Sequence, residues 1–451
     1  MSIYVSPTVR TKYQEGAGTK KLTISFPSLN LTLDNSSIYE NSMQLKESVF
    51  EGDSIEFVGC ICSNFSIELH GVNAQLKGQR IIVTIDTDND NEPIYLFRGY
   101  VDSVQTKLES SYKKITCYDD LYYKASGVDV ASWYNALHFP ITIKQFRDSL
   151  FTRLGITQET TVLINDDVVI QKQYVPVVMN AIDVIKNICQ FNGIFGLMDR
   201  STGLFDYRFM GEAVHALYPS SLTFPGSNVF PSSEIPGSDE VNVSYYENVA
   251  FEDFYTNTIT KVIIRDDDRT EGVSYGTGSN AYVVQGNIFA YGLDDAVLLE
   301  AAQGIYQKIG GFAYQPFDAD MLGMPFIEVG DVIKVNVIDY RQGQGQTSLK
   351  SFLVLNRTLK GIQFLKDSYE VRGEQDQSIF VTDIGQSLEV PEQQLDDRFD
   401  EVDESISSLD ERVTALEEGG TGFQVQSVSQ VPVNPQDNTI YLIQGEIVTI
   451  Q

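Results

Sequence analysis

Phe50-Glu-Gly-Asp-Ser-Ile-Glu-Phe57 and Glu328-Val-Gly-Asp-Val-Ile-Lys-Val335 carry one design at two distant places in the chain. In each, a Gly-Asp turn launches a stretch where apolar and polar residues alternate, the period of a strand with one face buried. Each is followed by further β-prone sequence and a long hairpin, with returning strands at Ile115–Tyr118 and Tyr369–Arg372. A Gly-Asp turn ahead of a strand is common. The echo therefore fits either two β segments that share a turn by coincidence or two equivalent β barrels in one protomer.

Around the first copy, residues 1–120 read as short strands: Leu22–Phe26, Ile55–Phe57, Ser66–Leu69, Ile81–Ile85, Tyr95–Val101 and Ile115–Tyr118. Gly52-Asp53, Asp88–Asn91 and Ser110-Ser111 mark connections, and strands this dense predict a small barrel or sandwich. From Asp119 the pattern becomes mixed. Thr142 opens a helix with Ile143, Phe146, Leu150 and Leu154 on one face, closed by Gly155. Asn180 caps a second, with Ile182, Ile185, Ile188 and Cys189 inward and Gly193 after it. A hairpin follows, Ile194–Met198 and Leu204–Phe209, turning at Asp199–Gly203.

Gly211 to Asn248 is rich in Pro, Ser and Gly and reads as a connection. Beyond it come a strand at Thr258–Ile264, a helix at Asp294–Ile309 and renewed strands from Phe326 to Phe380.

Leu395, Phe399, Val402, Ile406, Leu409, Val413 and Leu416 then recur with spacing 4-3-4-3-4-3, an unbroken heptad stripe. About 22 residues of helix, roughly 33 Å, cannot bury such a stripe alone. A stripe packed onto its own domain is usually wider than strict a/d positions, so copies of the chain are the expected partners. Arg398 and Arg412 fall at g, and Asp403 and Glu417 at e, which pairs Arg398 with Asp403 and Arg412 with Glu417 between parallel chains. Each exposed pair contributes about 0.3–0.5 kcal/mol. The core residues leave dimer and trimer both open, because Phe399 at a and Val402 at d depart from the dimer rule. Gly419-Gly-Thr-Gly422 ends the helix, and Tyr441–Ile443 and Ile447–Ile450 are β-prone.

With 62 acidic against 32 basic residues, the 451-residue chain carries a net charge of −30 and a pI near 4.3. That excludes a nucleic-acid or anionic-membrane surface built on Lys/Arg patches and suits a large soluble assembly. There is no 18-residue apolar run for a membrane span, and Met1–Glu15 lacks a secretory h-region. Cys60, Cys62, Cys117 and Cys189 read as free thiols of a chain made in a reducing cytoplasm; Cys60 and Cys62 sit on one strand face, awkward for a disulfide.

Candidate chemistry is thin. Asp86–Glu92 starts like a calcium loop, but Asn91 replaces the turn glycine and Phe97 stands where a bidentate Glu is needed, so a solvated hairpin tip is expected. Gly272–Gly278 has no Lys-Ser/Thr following and is no phosphate loop. His70, His138 and His215 lie in no metalloprotease or hydrolase context, and a dyad with Cys117 or Cys189 could arise only by accident of fold. No catalytic residue, cofactor or metal is expected.

Six segments, taken in order, resemble tail-hub proteins at the distal end of tailed-phage tails, especially prophage tail proteins of Gram-positive hosts and the structural module of tail-associated lysins. They are Glu51–Gly59, Leu96–Asp102, Ile115–Asp119, Phe139–Lys144 with Leu154–Ile156, Ala181–Ile185, and Tyr314–Phe317 leading into Gly323–Lys334. The resemblance implies an α+β, β-rich fold: two small β barrels joined by α/β domains, then a C-terminal parallel coiled coil, in a homotrimer.

The division that follows is 1–120 for the first hub barrel, 121–250 for an α/β domain and 251–320 for a second α/β segment. Residues 321–390 form the second barrel, 391–420 the coiled coil and 421–451 a short docking module, its Val431–Ile443 similar to a module of phage fibre-type proteins. The implied role is a virion tail-tip or baseplate hub, made in the host bacterial cytoplasm. It adapts a sixfold tube to a threefold tip, closes the channel before DNA ejection and contacts the distal tail protein, the tape measure and fibres or tip proteins. Tail-associated lysins carry an enzyme after the hub. Here only the coiled coil and a short tail follow, so a non-enzymatic protein is expected, with a cell-wall hydrolase or a receptor-binding fibre as alternatives.

Overall fold

Alternating side chains from both strand-rich segments build one antiparallel sheet of eleven strands. In chain order these are β1 (Lys20–Phe26), β2 (Leu31–Leu33), β3 (Gln44–Ser48), β4 (Asn64–His70), β5 (Arg80–Thr87), β6 (Ile94–Thr106), β7 (Tyr112–Asp119), β8 (Tyr246–Phe251), β9 (Phe317–Leu322), β10 (Asn356–Lys360) and β11 (Lys366–Val371). Their spatial order is β8-β9-β11-β10-β3-β4-β7-β6-β5-β1-β2. The computed structural model describes residues 3–51, 54–55, 60–88, 90–106, 112–172, 175–208, 241–243, 245–265, 272–339, 346–373, 388–389, 424–427, 439–443 and 446–449. It divides into two compact units, 1–389 and 390–451.

The seam between the segments is β3 against β10, with Leu45 opposite Leu359 and Glu47 opposite Arg357. Both leucines are buried, so the seam is sealed by apolar contact as well as by five paired residues. Where the sequence suggests two separate barrels, the two strand sets are thus bonded edge to edge. Among the described residues the ladder has two ends, β2 and β8. Within each strand the sequence period holds: Ile81, Val83 and Ile85 of β5 are buried while their neighbours are half-exposed.

The first unit also carries six helices among its described residues: α1 (Pro7–Gln14), α2 (Asp120–Ala125), α3 (Ala131–Ala136), α4 (Ile143–Leu154), α5 (Ala181–Gln190) and α6 (Asp295–Ile309). Thr142 and Gln145 form a reciprocal capping box at α4, and Gly155 ends it at φ +63°. At α5 the backbone boundary matches the expected Asn180, but its side chain makes no cap bond and Ile182 is only half-buried; Val184 packs inward instead. Helix α1 breaks the all-strand expectation for the N-terminal segment. Ser6, accepting from the Val9 N–H, and Pro7 at the first helical position are its start signal.

The hairpin Phe195–Met198/Phe205–Arg208 turns at 199–203 as expected, and its first strand pairs in parallel with Cys60–Ile61. The connection expected over Gly211–Asn248 gives way to strands at Val241–Val243 and β8; residues 209–240 lie outside those described. Val241–Val243 pairs with Val332–Asp339, which in turn pairs with Gln346–Leu353. In the second unit, Gln424–Ser427, Thr439–Ile443 and Glu446–Thr449 make a three-stranded sheet. The heptad residues Leu395 to Leu416 and the charges Arg398, Asp403, Arg412 and Glu417 lie outside the described residues, as does His215.

Candidate functional site

Three arginines and a set of carboxylates meet inside the first unit, where β3, β10, β11, the 195–208 hairpin and the 328–331 turn converge. Arg357 of β10 grips Asp367 of β11 at two points, Nε to Oδ1 at 2.8 Å and Nη2 to Oδ2 at 3.1 Å. Its remaining donors go to the carbonyls of Met324, at 2.7 Å, and Ile327. Asp367 also accepts the Met324 N–H at 2.9 Å. Both residues are buried.

The second half of the cluster is centred on Glu328. Arg208 Nη2 donates to Glu328 Oε2 at 2.7 Å, and Arg200 Nε to Oε1 at 3.2 Å. Arg200 Nη2 also donates to the Ile327 carbonyl at 2.9 Å, so Ile327 is shared with Arg357. Glu47 of β3 joins the halves: its two oxygens lie 3.7 Å from Arg200 Nε and from Arg357 Nη1. Those are charge contacts beyond hydrogen-bond length.

The Gly-Asp turn of the sequence echo has a definite task here. Gly330 at φ +94° lets the chain reverse, and its N–H donates to Val354 O at 2.8 Å. Asp331 then accepts the Glu328 N–H at 2.7 Å, which aims Glu328 into the arginines. The motif is a positioning device. Its other copy, Gly52-Asp53, lies outside the described residues.

Burial opposes ionisation of Glu328, but Arg208 and Arg200 prevail and hold its carboxyl down at about 2. Asp331 is pushed the other way by burial, with the charge of Glu328 adding. Asp119, the N-cap of α2, is pushed up to about 7 by burial, against N–H donors from Tyr122 and Ser63 and with help from Asp120 and Glu47. It lines a cavity of about 10 Å³ with Ser63, Arg98, Asp120 and Arg200. That volume holds about one water and no substrate.

A second buried ion pair stands in the α/β part. Arg147 of α4 meets Asp166 with Nε–Oδ1 and Nη2–Oδ2 both at 2.7 Å, and Arg147 also donates to Gln158 and to the Thr161 carbonyl. Every such arginine ties distant segments together through carboxylates and carbonyls. The arrangement clamps the fold. Cys117 and Cys189 are fully buried, and burial pushes the Cys117 thiol up, keeping it protonated.

The acidic hairpin tip is solvated, as expected, with Asp88, Asp90 and Asn91 exposed, and it also holds partners. Lys12 of α1 reaches Asp90 at 2.7 Å and Asp88 at 3.1 Å, Asp88 accepts the Thr19 N–H, and Glu92 accepts the Ser6 N–H. A lysine ammonium takes the cation's place in the calcium-like sequence. The tip anchors the N-terminal helix, whose Tyr13 packs edge-on against Phe326 of the second β segment.

No protein-family model matches the chain, and no curated protein matches it. Among solved structures it is similar to the 43 kDa tail protein of prophage MuSo2 from Shewanella oneidensis, at 12% identity and a TM-score of 0.45, over 78% of this chain and 98% of that one. It is similar to the tail protein from Neisseria meningitidis MC58, at 11% identity and a TM-score of 0.43, over 80% and 99%. A component of the Escherichia coli type VI secretion system is similar at 8% identity and a TM-score of 0.34, over 78% of each chain.

Proposed function

We propose that this chain is a non-enzymatic virion protein, the homotrimeric hub of a phage tail tip or baseplate. The observation that carries the reading is the ordered run of hub-like segments around two Gly-Asp turns, ending in a parallel heptad stripe. The seam of β3 and β10, clamped by Glu47, Arg200, Arg208, Glu328, Arg357 and Asp367, supports it, because it makes one stiff body of two strand-rich halves. In this reading each half supplies one barrel-like module, so three copies offer six to a sixfold tube. The closed hub seals the channel, contacts the distal tail and tape-measure proteins on the tube side, and passes threefold symmetry through Leu395–Leu416 to a fibre or tip protein held by residues 421–451.

Mass photometry of the purified full chain tests this at micromolar concentration. A trimer is expected, and a stable monomer would overturn the hub. Deleting 394–420 should abolish trimers while the first unit stays folded. A clearing zone on host peptidoglycan that one point substitution abolishes would make the chain an enzyme instead.

A further inference from the structure

The N-terminal segment meets the rest of the first unit through contacts of two unlike kinds. On the first β segment they are polar and partly exposed: Lys12 reaches Asp90 at 2.7 Å and Asp88 at 3.1 Å, and the Ser6 N–H donates to Glu92 at 2.6 Å. On the second they gather on Phe326, whose carbonyl accepts the Ile3 N–H at 3.1 Å. Its ring meets Tyr13 edge-on and lies 5.3 Å from the Arg10 guanidinium. Helix α1 therefore bridges the two segments as a strap.

Beneath the strap, closure leaves polar groups in an apolar setting. Tyr13 and Thr87 are each 1% exposed, and among the described residues neither hydroxyl has a hydrogen-bond partner. Lys20, opposite Thr87 across β1 and β5, is buried too, with its ammonium 5.9 Å from the centre of the Tyr13 ring. Burial lowers its pKa, opposed by the charge of Asp88. A buried group without its hydrogen bond costs folding free energy that hydration would restore. Apolar burial of Val5, Val9 and Tyr13 holds the strap down, and these polar groups work against it.

The chain can turn here without disturbing the sheet. Gly16 and Gly18, at φ +65° and +80°, separate α1 from β1. Next to them, Thr19 is fixed independently of the helix: its N–H donates to Asp88 Oδ1 and its carbonyl accepts the Asp88 N–H, both at 2.8 Å. From Lys20 to Ser25, β1 pairs with β5 through six residues, and α1 supplies none of those bonds.

We propose that α1 is a releasable strap, swinging at Gly16–Gly18 to hydrate Tyr13, Thr87 and Lys20 while the sheet beneath stays paired. Ionic strength sets the balance, because salt screens the partly exposed contacts of Lys12. Released, the strap uncovers Phe326 and unties the two β segments at this point.

Hydrogen–deuterium exchange of the full chain, read by mass spectrometry, tests the strap. Peptides from residues 3–17 should exchange about threefold faster in about 0.5 M salt than in low salt, with peptides from β1 and β5 unchanged. Thr87→Val and Tyr13→Phe each remove one unpartnered hydroxyl and should slow exchange in 3–17 about tenfold. Lys12→Ala should quicken it in low salt and remove the salt response. A side chain that only anchored the helix would not tighten it on losing its hydroxyl. If residues 3–17 and β1 exchange together, α1 opens only with the sheet and there is no strap. If T87V and Y13F leave exchange unchanged or quicken it, the buried hydroxyls do not oppose closure, and the device is overturned as well.

Discussion

Replacing Arg357 by methionine removes the charge at the centre of the seam while keeping a long apolar stem. Asp367 then stays buried with both oxygens stripped of their guanidinium, Glu47 loses one of its two cationic neighbours, and the Met324 carbonyl loses its Nη2 donor. Breaking a buried pair from one side costs about 3–5 kcal/mol, because the surviving charge has no compensation. For a unit of 389 residues, an unfolding entropy of about 2.1 cal/mol/K per residue gives about 0.8 kcal/mol/K, so the midpoint should fall by about 4–6 °C.

The double variant R357M/D367N removes both charges and should recover part of the loss. A coupling of about 2 kcal/mol is expected from the cycle. Thermal unfolding by circular dichroism reads R357M, D367N and the double variant, with Arg372→Met as a reference, since Arg372 pairs with Glu370 at an exposed position. A shift for R357M within 1 °C of R372M would refute the clamp.

Three other perturbations bear on separate parts of the structure. Asp119 has a folded value of about 7, above its ordinary value near 3.9, so the folded state takes the proton more readily and stability falls as pH rises from about 4 to 7. Asp119→Asn should flatten that slope in unfolding midpoints taken across the range; an unchanged slope sinks the assignment. Gly99→Ala would drive a Cβ onto the Tyr118 carbonyl and within 2.8 Å of Asp119 Cα. Because backbone cannot step aside, a loss of about 1–3 kcal/mol is expected in denaturant melts, and an unshifted melt counts against the register of β6 and β7. Lys12→Glu sets a like charge against Asp88 and Asp90. Limited proteolysis should then cut the N-terminal segment faster, and added calcium should slow it; equal cutting rates would show that Lys12 is no anchor.

Strand positions were largely legible because burial of one sheet face imposes a period of two on the residues themselves. β5 and β7 show it, as do the α4 start at Thr142 and the turn at 199–203. The start of helix α1 is marked in the sequence as well, since Ser6-Pro7 is a local signal. The solvated tip at Asp86–Glu92 was legible, but its counter-charge was not. Its partner Lys12 lies 78 residues away, and no local pattern announces a neutralising charge at that distance.

Local chemistry alone therefore determined which of the described segments are strands and helices and where they start. Tertiary structure decided the rest: that β3 lies against β10 instead of closing on its own segment, and that Glu47, Arg200, Arg208, Glu328, Arg357 and Asp367 share one buried cluster. The physical reason is one of range. Periodicity and capping act within a few residues, whereas a buried charge must find its counter-charge wherever the fold brings one, and sequence separation carries no record of that meeting.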